Sequence, residues 1–479
     1  MEIHWLDLTV FIVYMLLMLG VGVFFLGKNK STDDYYVGGR SMSSWHVGLS
    51  VVATDVGGGF SIGLGGLGFT MGISGSWMLF TGLLGAWLAA VFLIPRITAL
   101  PAFKNLYTFP EIFKIFYDKK TALLAGAISA IGYAGFTSSQ LLAGAKLASS
   151  TFTGLNLQHA LIIMGTIAVI YTVMGGLKAV IYTDTVQWAL LLSGLIFIGI
   201  PLGYMSIGGY SGLMSSVPDG FLRFDNLTWQ DLVNWGVTII PIWFVGMTLY
   251  QRIYACKSKK EAQKAWYIAG IFEWPIMALM GVLLGMFARV AADQGMFEYV
   301  GYSSATGMDA EIGLPLLLRT ILPVGLTGLM MSAYFSAVLS TADSCLMAAS
   351  GNLVTDIIGF EGTNPKKFLR LSQIFTLVIG VLALLLASFM QSVLELMLYS
   401  YAFMVSGLFV PVLGGLFLKK SNPNAAFWSM LIGGSTTITL ILINQDLPLG
   451  LDANIFGILA SLIVFLALNK LNISLKSST

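Results

Sequence analysis

The stretch Leu339-Ser340-Thr341-Ala342-Asp343-Ser344 places three hydroxyls and a carboxylate inside a long apolar run of the chain. A carboxylate in the hydrocarbon core of a bilayer costs roughly 3 kcal/mol or more, so such residues persist where they face a wet cavity or bind an ion. Hard oxygen ligands on less than two helical turns favour small hard cations. The stretch therefore predicts a membrane helix that takes part in cation-linked transport.

The composition around this stretch is that of an integral membrane protein. The chain has 479 residues, of which 57% are hydrophobic and 10% are charged, and its mean hydropathy is +0.84. A soluble domain carries about 25% charged residues. The net charge of +2 without a basic cluster argues against a nucleic-acid partner. Two cysteines, Cys256 and Cys345, and three histidines without ligand spacing argue against a disulfide framework and a transition-metal site.

Apolar runs of about 20 residues, the length that crosses a bilayer, predict an all-α polytopic membrane protein with about 13 helices. We place them near 6–26, 44–69, 76–95, 121–148, 157–174, 178–204, 229–251, 265–291, 315–350, 368–390, 393–418, 424–443 and 454–470. The ninth run is overlong and is expected to begin with a short outer helix at 312–321. No stretch is suited to a soluble domain, so residues 1–479 are expected to form one transporter domain. The first run lacks a preceding basic region and a cleavage site, which argues against a removable signal peptide.

Lysines and arginines follow the odd-numbered runs, and such residues mark cytoplasmic loops. The N-terminus is therefore predicted outside and the C-terminus inside. The basic residues that follow the odd-numbered runs are, in order along the chain, Lys28, Lys30, Arg40, Arg96, Lys104, Lys114, Lys119, Lys120, Lys178, Arg252, Lys257, Lys259, Lys260, Lys264, Lys366, Lys367, Arg370, Lys419 and Lys420.

The second run contains Ala53-Thr54-Asp55-Val56-Gly57-Gly58-Gly59-Phe60, which predicts a broken helix. Three glycines and an aspartate are poor helix formers. Unwound backbone at membrane depth is tolerated only where it is buried in protein or lines a cavity. Its freed carbonyls can ligate a cation, and the half-helix that follows offers N–H groups to an anionic solute. The alternative is that the glycines only permit close helix packing; Asp55 favours the functional interpretation.

Pro241 lies near the middle of the seventh run and predicts a second break, because proline removes a helical hydrogen bond. An ordinary proline kink is the alternative. Breaks five helices apart fit two five-helix repeats of inverted topology. The repeats would cover about 44–204 and about 229–418, with peripheral helices at about 6–26, 424–443 and 454–470.

Several other polar or aromatic residues within apolar runs have two interpretations each. Asp184 either takes part in function or pairs with Lys178, and Glu273 marks a kink beside Pro275 or an ion pair. Polar residues of the fourth run either line a cavity or form interhelical hydrogen bonds, and aromatic residues either stack on a solute or pack. The polar residues of the fourth run are Ser138, Ser139 and Gln140, and the aromatic residues are Phe60, Tyr133, Trp243 and Phe244.

Five motifs, in order along nearly the whole chain, resemble those of the sodium:solute symporter family. They are Asp33–Arg40, Ala53–Gly58, Gly175–Asp184 with Gln187, Gln251-Arg252 followed by Lys257-Ser258, and Ser340–Ser344. The family includes bacterial proline, pantothenate and sialic acid carriers and animal glucose, iodide and choline transporters. The resemblance implies a leucine-transporter-like core formed by the second to eleventh helices. It also implies sodium-coupled uptake across the cell membrane, which is the inner membrane if the source is bacterial.

The resemblance also implies where sodium binds. One site would use the backbone carbonyls of Ala53, Val56 and Ala337 and the hydroxyls of Ser340 and Thr341. A second site, found in some members, would correspond to Asp184, Ser340, Asp343 and Ser344. Asp343 replaces a hydroxyl of the best-known example, so two carboxylates would hold Na⁺ tightly or one of them would stay protonated.

The solute is expected to be an amino acid or another small zwitterion or carboxylate. Where sugar carriers have a Glu-Gln pair this chain has Gly59-Phe60, and Asp55 stands where the choline carrier has tryptophan. The pattern is closest to that of proline carriers, and the fourth helix shows no arginine of the kind expected for sialic acid. The candidate solute-binding residues are Asp55, Gly57, Gly58, Phe60, Tyr133, Gln140, Trp243, Phe244 and Met247.

Other functions remain open at this point. The same fold would also serve a sugar or vitamin, or proton coupling through Asp55 or Asp343. A channel would call for repeated pore-lining rings, whereas the polar residues here lie on non-equivalent helices. An intramembrane enzyme would have to use Asp184 and Asp343 without a nucleophile and base, and a signalling receptor would need an output domain. We therefore expect no enzyme, and as partners only a small solute, sodium ions and lipid, without an obligate protein partner.

Overall fold

The computed structural model describes residues 4–26, 37–55, 57–152, 154–174, 177–358, 365–418, 422–443 and 445–477. This part of the chain is almost entirely helical. Its α-helices, numbered α1 to α21, are Trp5–Leu26, Ser44–Asp55, Gly57–Met71, Trp77–Leu88, Ile94–Thr98, Glu111–Phe116, Lys119–Thr151, Leu157–Met174, Leu177–Gly194, Ile200–Ser206, Gly209–Ser216, Trp229–Val245, Met247–Ala255, Lys259–Ile271, Ala278–Asp293, Ala310–Ile321, Leu326–Gly351, Pro365–Ala387, Val393–Phe417, Pro423–Ile443 and Ala453–Ser477.

Helices lie at all thirteen predicted positions, which confirms an all-helical polytopic membrane protein. By length and hydropathy, eight helices of the described part can each cross a membrane, or nine if the bent pair α12–α13 is one span. Shorter apolar helices lie at Trp5–Leu17 and Leu157–Val173. Thirteen crossings, an outside N-terminus and the division into two repeats therefore remain predictions.

The ninth predicted run consists of two helices. The first, α16, is the expected short outer helix, and α17 is the long helix that follows it. The turn between them contains Pro323 and Gly325, whose φ is +86°, a left-handed conformation that glycine adopts without strain. Asp7 of α1 stabilises the start of α17, because its Oδ1 accepts the N–H groups of Gly325 and Gly328, both at 2.7 Å. A buried carboxylate at a helix N-terminus satisfies donors that have no partner within the helix.

The second predicted run is broken where the sequence indicated. Helix α2 ends at Asp55, and α3 begins at Gly57, whose φ is +38°. A Cβ atom on Gly57 would lie 2.3 Å from Oγ1 of Thr341 in α17. Glycine therefore permits both the backbone conformation and the close approach of α17. Val56 lies outside the described residues.

The predicted break at Pro241 is wrong in position. Pro241 lies inside α12, and the chain bends by 44° at Gly246, between α12 and α13. Gly246 is extended, with ψ of 113°, and hydroxyls take over the backbone groups beside it. Tyr133 accepts the Thr248 N–H at 3.1 Å, and Tyr250 donates to the Phe244 carbonyl at 2.9 Å. These partners are distant in sequence or lie beyond the bend, so the local pattern around Pro241 did not indicate them.

Candidate functional site

Thr341 connects α17 to the end of α2. Its Oγ1 lies 2.9 Å from the Ala53 carbonyl oxygen and 3.2 Å from the Ala337 carbonyl oxygen. Thr341 and Ala53 are fully buried, and Ser340, the neighbour of Thr341, is 4% exposed. The structure thus brings together three of the five predicted sodium ligands. Val56 lies outside the described residues.

These three oxygens are neutral, which suits a monovalent cation that must bind and leave. The threonine hydroxyl can donate to a carbonyl in one orientation and direct its lone pairs at a cation in the other. The two carbonyls belong to different helices, so a cation among them would hold α2 against α17. Hard oxygen ligands of this kind suit alkali and alkaline-earth ions rather than thiolate-seeking metals.

Two of the residues predicted to bind a second sodium ion, Asp343 and Ser344, have hydrogen-bond partners on other helices. Thr172 of α8 donates to Asp343, and Arg252 of α13 donates to Ser344 at 3.0 Å. The side chain of Asp184 lies outside the described residues. Three of the four predicted ligands therefore lie on α17. One of them, Ser344, is hydrogen-bonded to the guanidinium of Arg252.

Arg252 corrects a second prediction, because the charge pattern placed it in a cytoplasmic loop. It lies on α13 and is fully buried. Besides Ser344, its guanidinium donates to the hydroxyls of Thr54 and Ser50, the latter at 3.1 Å, and to the Thr248 carbonyl at 3.2 Å. The bend at Gly246 directs α13 toward α2, and three hydroxyls from two helices solvate the charge. Only the folded arrangement supplies these partners.

Side chains from one face of α7 form hydrogen bonds at both helix breaks. Gln140 Oε1 accepts the N–H of Gly59 in the first turn of α3 at 3.0 Å. Tyr133, seven residues earlier and thus on the same face of the helix, lies at the second break, where it also contacts the Thr248 hydroxyl at 3.0 Å. Both residues were predicted to bind solute, and their hydrogen bonds here go to the first turns of α3 and α13.

Asp55, the last residue of α2, accepts a hydrogen bond from Tyr401 of α19 at 3.1 Å. The sequence analysis did not identify Tyr401, whose only signal was a hydroxyl within the apolar run of α19. A cavity of about 470 Å³ lies on the side predicted to be extracellular. Its lining includes Gly63 of α3 and Ala402, the neighbour of Tyr401, with Glu311, Glu395 and Asp452 nearer the helix ends.

The remaining predicted solute residues pack elsewhere or lie outside the description. Trp243 is fully buried against Trp266, with ring centroids 6.3 Å apart. Phe244 packs against Phe409, with ring centroids 5.8 Å apart. The Met247 sulfur accepts the N–H of Phe109 at 3.0 Å. These contacts direct Trp243 toward α14 and Met247 toward the segment before α6. The surroundings of Gly58 and the side chain of Phe60 lie outside the description.

Comparison with known proteins identifies the family of this chain. Residues 35–433 match the Sodium:solute symporter family. The chain belongs to this family. A sodium/glucose cotransporter of Vibrio parahaemolyticus is 29% identical over 506 residues, which cover 96% of this chain and 90% of that protein. A high-affinity proline transporter of Bacillus subtilis is 28% identical over 436 residues, covering 88% of this chain and 89% of that one.

Solved structures show the same fold. A substrate-bound, outward-open Na⁺-coupled sialic acid symporter superposes with a TM-score of 0.77 at 22% identity, covering 98% of each chain. A nucleobase-cation-symport-1 family transporter in a closed conformation superposes with a TM-score of 0.57 at 15% identity, covering 91% of this chain and 95% of that one. The predicted family is thereby confirmed. This sodium:solute symporter is a multi-pass membrane transporter and not an enzyme, with Na⁺ as co-substrate.

Proposed function

We propose that this sodium:solute symporter takes up a small amino acid or another small zwitterion or carboxylate. In this proposal Na⁺ binds to the Ala53, Val56 and Ala337 carbonyls and the Ser340 and Thr341 hydroxyls. The observation that carries it is the position of Thr341, whose hydroxyl lies within hydrogen-bond distance of carbonyls on both α2 and α17 at the helix break.

Coupling follows from the position of the sodium site beside Asp55. Na⁺ bound at Ala53 fixes the end of α2 against α17, and this orders Asp55 and the first turn of α3, which face the solute. Binding of each partner then favours the other by the same free energy. Inward movement of one positive charge gains about 2.3 kcal/mol per 100 mV of membrane potential, and this gain drives solute uptake.

Two observations favour a zwitterion or carboxylate over a sugar, which is the second candidate because relatives include sodium/glucose cotransporters. The first is the half-helix α3, whose N-terminal N–H groups suit a carboxylate. The second is Asp55, a buried carboxyl that suits a positively charged group. At Gly59 the backbone N–H is bonded to Gln140, and the site offers no glutamate–glutamine pair there for sugar hydroxyls.

A second Na⁺ at Asp184, Ser340, Asp343 and Ser344 is the other arrangement that the family resemblance implies. The guanidinium of Arg252 already donates to Ser344, and a fixed positive charge disfavours a second cation close by. One Na⁺ per solute is therefore the stoichiometry that this arrangement favours.

Uptake into proteoliposomes tests the proposed function. Purified protein is supplied with labelled amino acids, monocarboxylates, vitamins and glucose under an inward Na⁺ gradient, and Na⁺ is replaced by choline at several pH values. We expect uptake of a zwitterion or carboxylate that needs Na⁺ at every pH, and counterflow of labelled solute. Uptake driven by a proton gradient without Na⁺, or flux without counterflow as in a channel, would contradict the proposal.

A further inference from the structure

The outer cavity is the space of about 470 Å³ that α3, α12, α16, α19, α20 and α21 enclose. Two of these helices, α20 and α21, are peripheral and contribute nothing to the proposed sodium site. The wall of the cavity is largely apolar and includes Leu67, Leu394, Leu398 and Ile441. Ligand pockets in proteins have volumes of about 300–1,000 Å³. The outer cavity therefore has the size and the apolar wall of a site for a small organic molecule.

Every charged residue that lines the outer cavity is acidic. These residues are Asp309, Glu311, Glu395 and Asp452. Lys146 pairs with Asp309 and Glu311 at 2.6 and 2.7 Å. Glu395 and Asp452 are exposed and form no ion pair within the described part of the chain. A cleft lined by one sign of charge concentrates ligands of the opposite sign, so this cavity favours cations.

Asn454 supplies a buried acceptor at the wall of the outer cavity. It lines the cavity and is fully buried, and its Oδ1 has no hydrogen-bond partner among the described residues. Its Nδ2 donates to the hydroxyl of Thr238, which also lines the cavity, at 2.9 Å. Asp452 is fixed to the same helix, α12, because it donates its N–H to Asn234 Oδ1 at 3.0 Å. A buried acceptor without a donor is unfavourable, so this edge of the cavity suits a ligand that donates hydrogen bonds.

We propose that the outer cavity is an external binding site for an organic cation that carries an ammonium group on an apolar body. The ammonium group binds to the carboxylates of Glu395 and Asp452 and to Oδ1 of Asn454, and the apolar body packs against α3 and α19. Three acceptor groups match the three donors of an ammonium group. A calcium ion fits less well, because it takes 6–8 oxygen ligands and leaves the apolar wall unused. The site goes beyond the proposed function, since it is separate from the sodium site.

Binding of matched probes to the purified full-length protein tests this site. Benzylammonium, benzyl alcohol and benzoate share one apolar body and differ in the charged group, and methylammonium has the charge without that body. Thermal unfolding and isothermal titration are measured in Na⁺ and in K⁺ at equal ionic strength, because salt screens exposed charges. We expect benzylammonium to bind equally well in both cations. The other three probes should bind at least about tenfold more weakly.

Three residues of the site are tested by substitution. Glu395→Gln and Asp452→Asn each remove one exposed charge, and exposed charges contribute modestly. Each single variant should therefore weaken benzylammonium binding a few fold, and the double variant at least about tenfold. Asn454→Leu removes the buried oxygen at similar size and should weaken binding several fold. Glu298→Gln, at an exposed position in the outer turn Glu298–Val300, is the matched control and should bind the probe as wild type does.

Several results would overturn the proposal. They are equal binding of benzylammonium and benzyl alcohol, and an unchanged affinity in the double variant or in Asn454→Leu. If no probe binds, water alone fills the cavity, and if Ca²⁺ binds but benzylammonium does not, the carboxylates form a metal site instead. Binding of benzylammonium that requires Na⁺ would place it in the transport site. None of these measurements depends on uptake, so the cation site and the proposed function can fail separately.

Discussion

At the scale of single residues, Thr341 is the side chain on which the sodium site depends most. Thr341→Ala removes a hydroxyl that contacts carbonyls of two helices. We expect the Na⁺ concentration for half-maximal uptake to rise about tenfold or more, since losing one ligand at a cost of about 1.4 kcal/mol has that effect. Thr341→Ser keeps the oxygen and should remain near wild type. An unchanged sodium requirement in Thr341→Ala would remove Thr341 from the ligand set.

Gly57 offers a second test at this scale. A Cβ atom there would lie 2.3 Å from Thr341 Oγ1, and the φ of +38° disfavours any other residue. Gly57→Ala should therefore abolish Na⁺-dependent thermal stabilisation. Gly236→Ala is the control, because its Cβ would meet only Ile240 Cδ1, at 3.9 Å. Retention of the sodium effect in Gly57→Ala would mean that the helix break tolerates displacement of Thr341.

At the scale of elements, the bend between α12 and α13 depends on Gly246 and its hydroxyl partners rather than on Pro241. Tyr133→Phe leaves the Thr248 N–H without the partner that it has at 3.1 Å. An unsatisfied buried donor costs about 1–3 kcal/mol, so the thermal unfolding midpoint should fall. Pro241→Ala should leave uptake close to wild type. Loss of uptake in Pro241→Ala with an unaffected Tyr133→Phe would restore the proline as the cause of the break.

The outer end of α19 gives a prediction for a buried ion pair. Lys146 contacts Glu311 at 2.7 Å, with side-chain exposures of 2% and 9%. Glu311 also accepts the N–H groups of Val393 and Leu394 at the start of α19. Glu311→Ala leaves Lys146 with Asp309, at 2.6 Å, as its remaining carboxylate partner. The variant also removes the acceptor of the two N–H groups at the start of α19, so a loss of about 1–3 kcal/mol in unfolding free energy is expected.

The matched control for Glu311→Ala is the pair Arg223–Asp225, with exposures of 70% and 67%. Asp225→Ala should cost at most about 1 kcal/mol, since exposed ion pairs contribute little. Similar losses in the two variants would show that burial does not set the strength of the inner pair. The pattern of charges along the sequence did not indicate the Lys146–Glu311 pair, because its partners are 165 residues apart.

At the scale of the whole molecule, the sequence predicted the features of the fold that depend on local composition. All helix positions and the break after Asp55 followed from apolar length and from glycine. The bend at Gly246 and the buried position of Arg252 did not, because each depends on partners from distant helices. Arg252 illustrates the difference: its charge indicated a loop, whereas hydroxyls of α2 and α17 solvate it within the protein.

Closure of the predicted cytoplasmic side gives the last prediction, because α2 takes part in both closure and sodium binding. Its first residue, Ser44, donates its N–H to Glu261 at 2.6 Å, and the adjoining Met42 pairs with the backbone of Ala255 and Lys257 at 3.0 and 3.3 Å. This pairing covers Cys256, which is 6% exposed. Sodium that holds Ala53 against α17 should therefore favour the closed cytoplasmic side.

A membrane-impermeant maleimide applied from the cytoplasmic side measures this coupling directly. Labelling of Cys256 should be several times slower in Na⁺ than in K⁺, because the thiol reacts only when α2 and the end of α13 separate. Cys256→Ser identifies the signal, since Cys345 is fully buried, and Thr341→Ala should abolish the difference between the two cations. Equal labelling rates in Na⁺ and K⁺ would show that the sodium site and the cytoplasmic closure are independent, and labelling only from outside would reverse the predicted orientation.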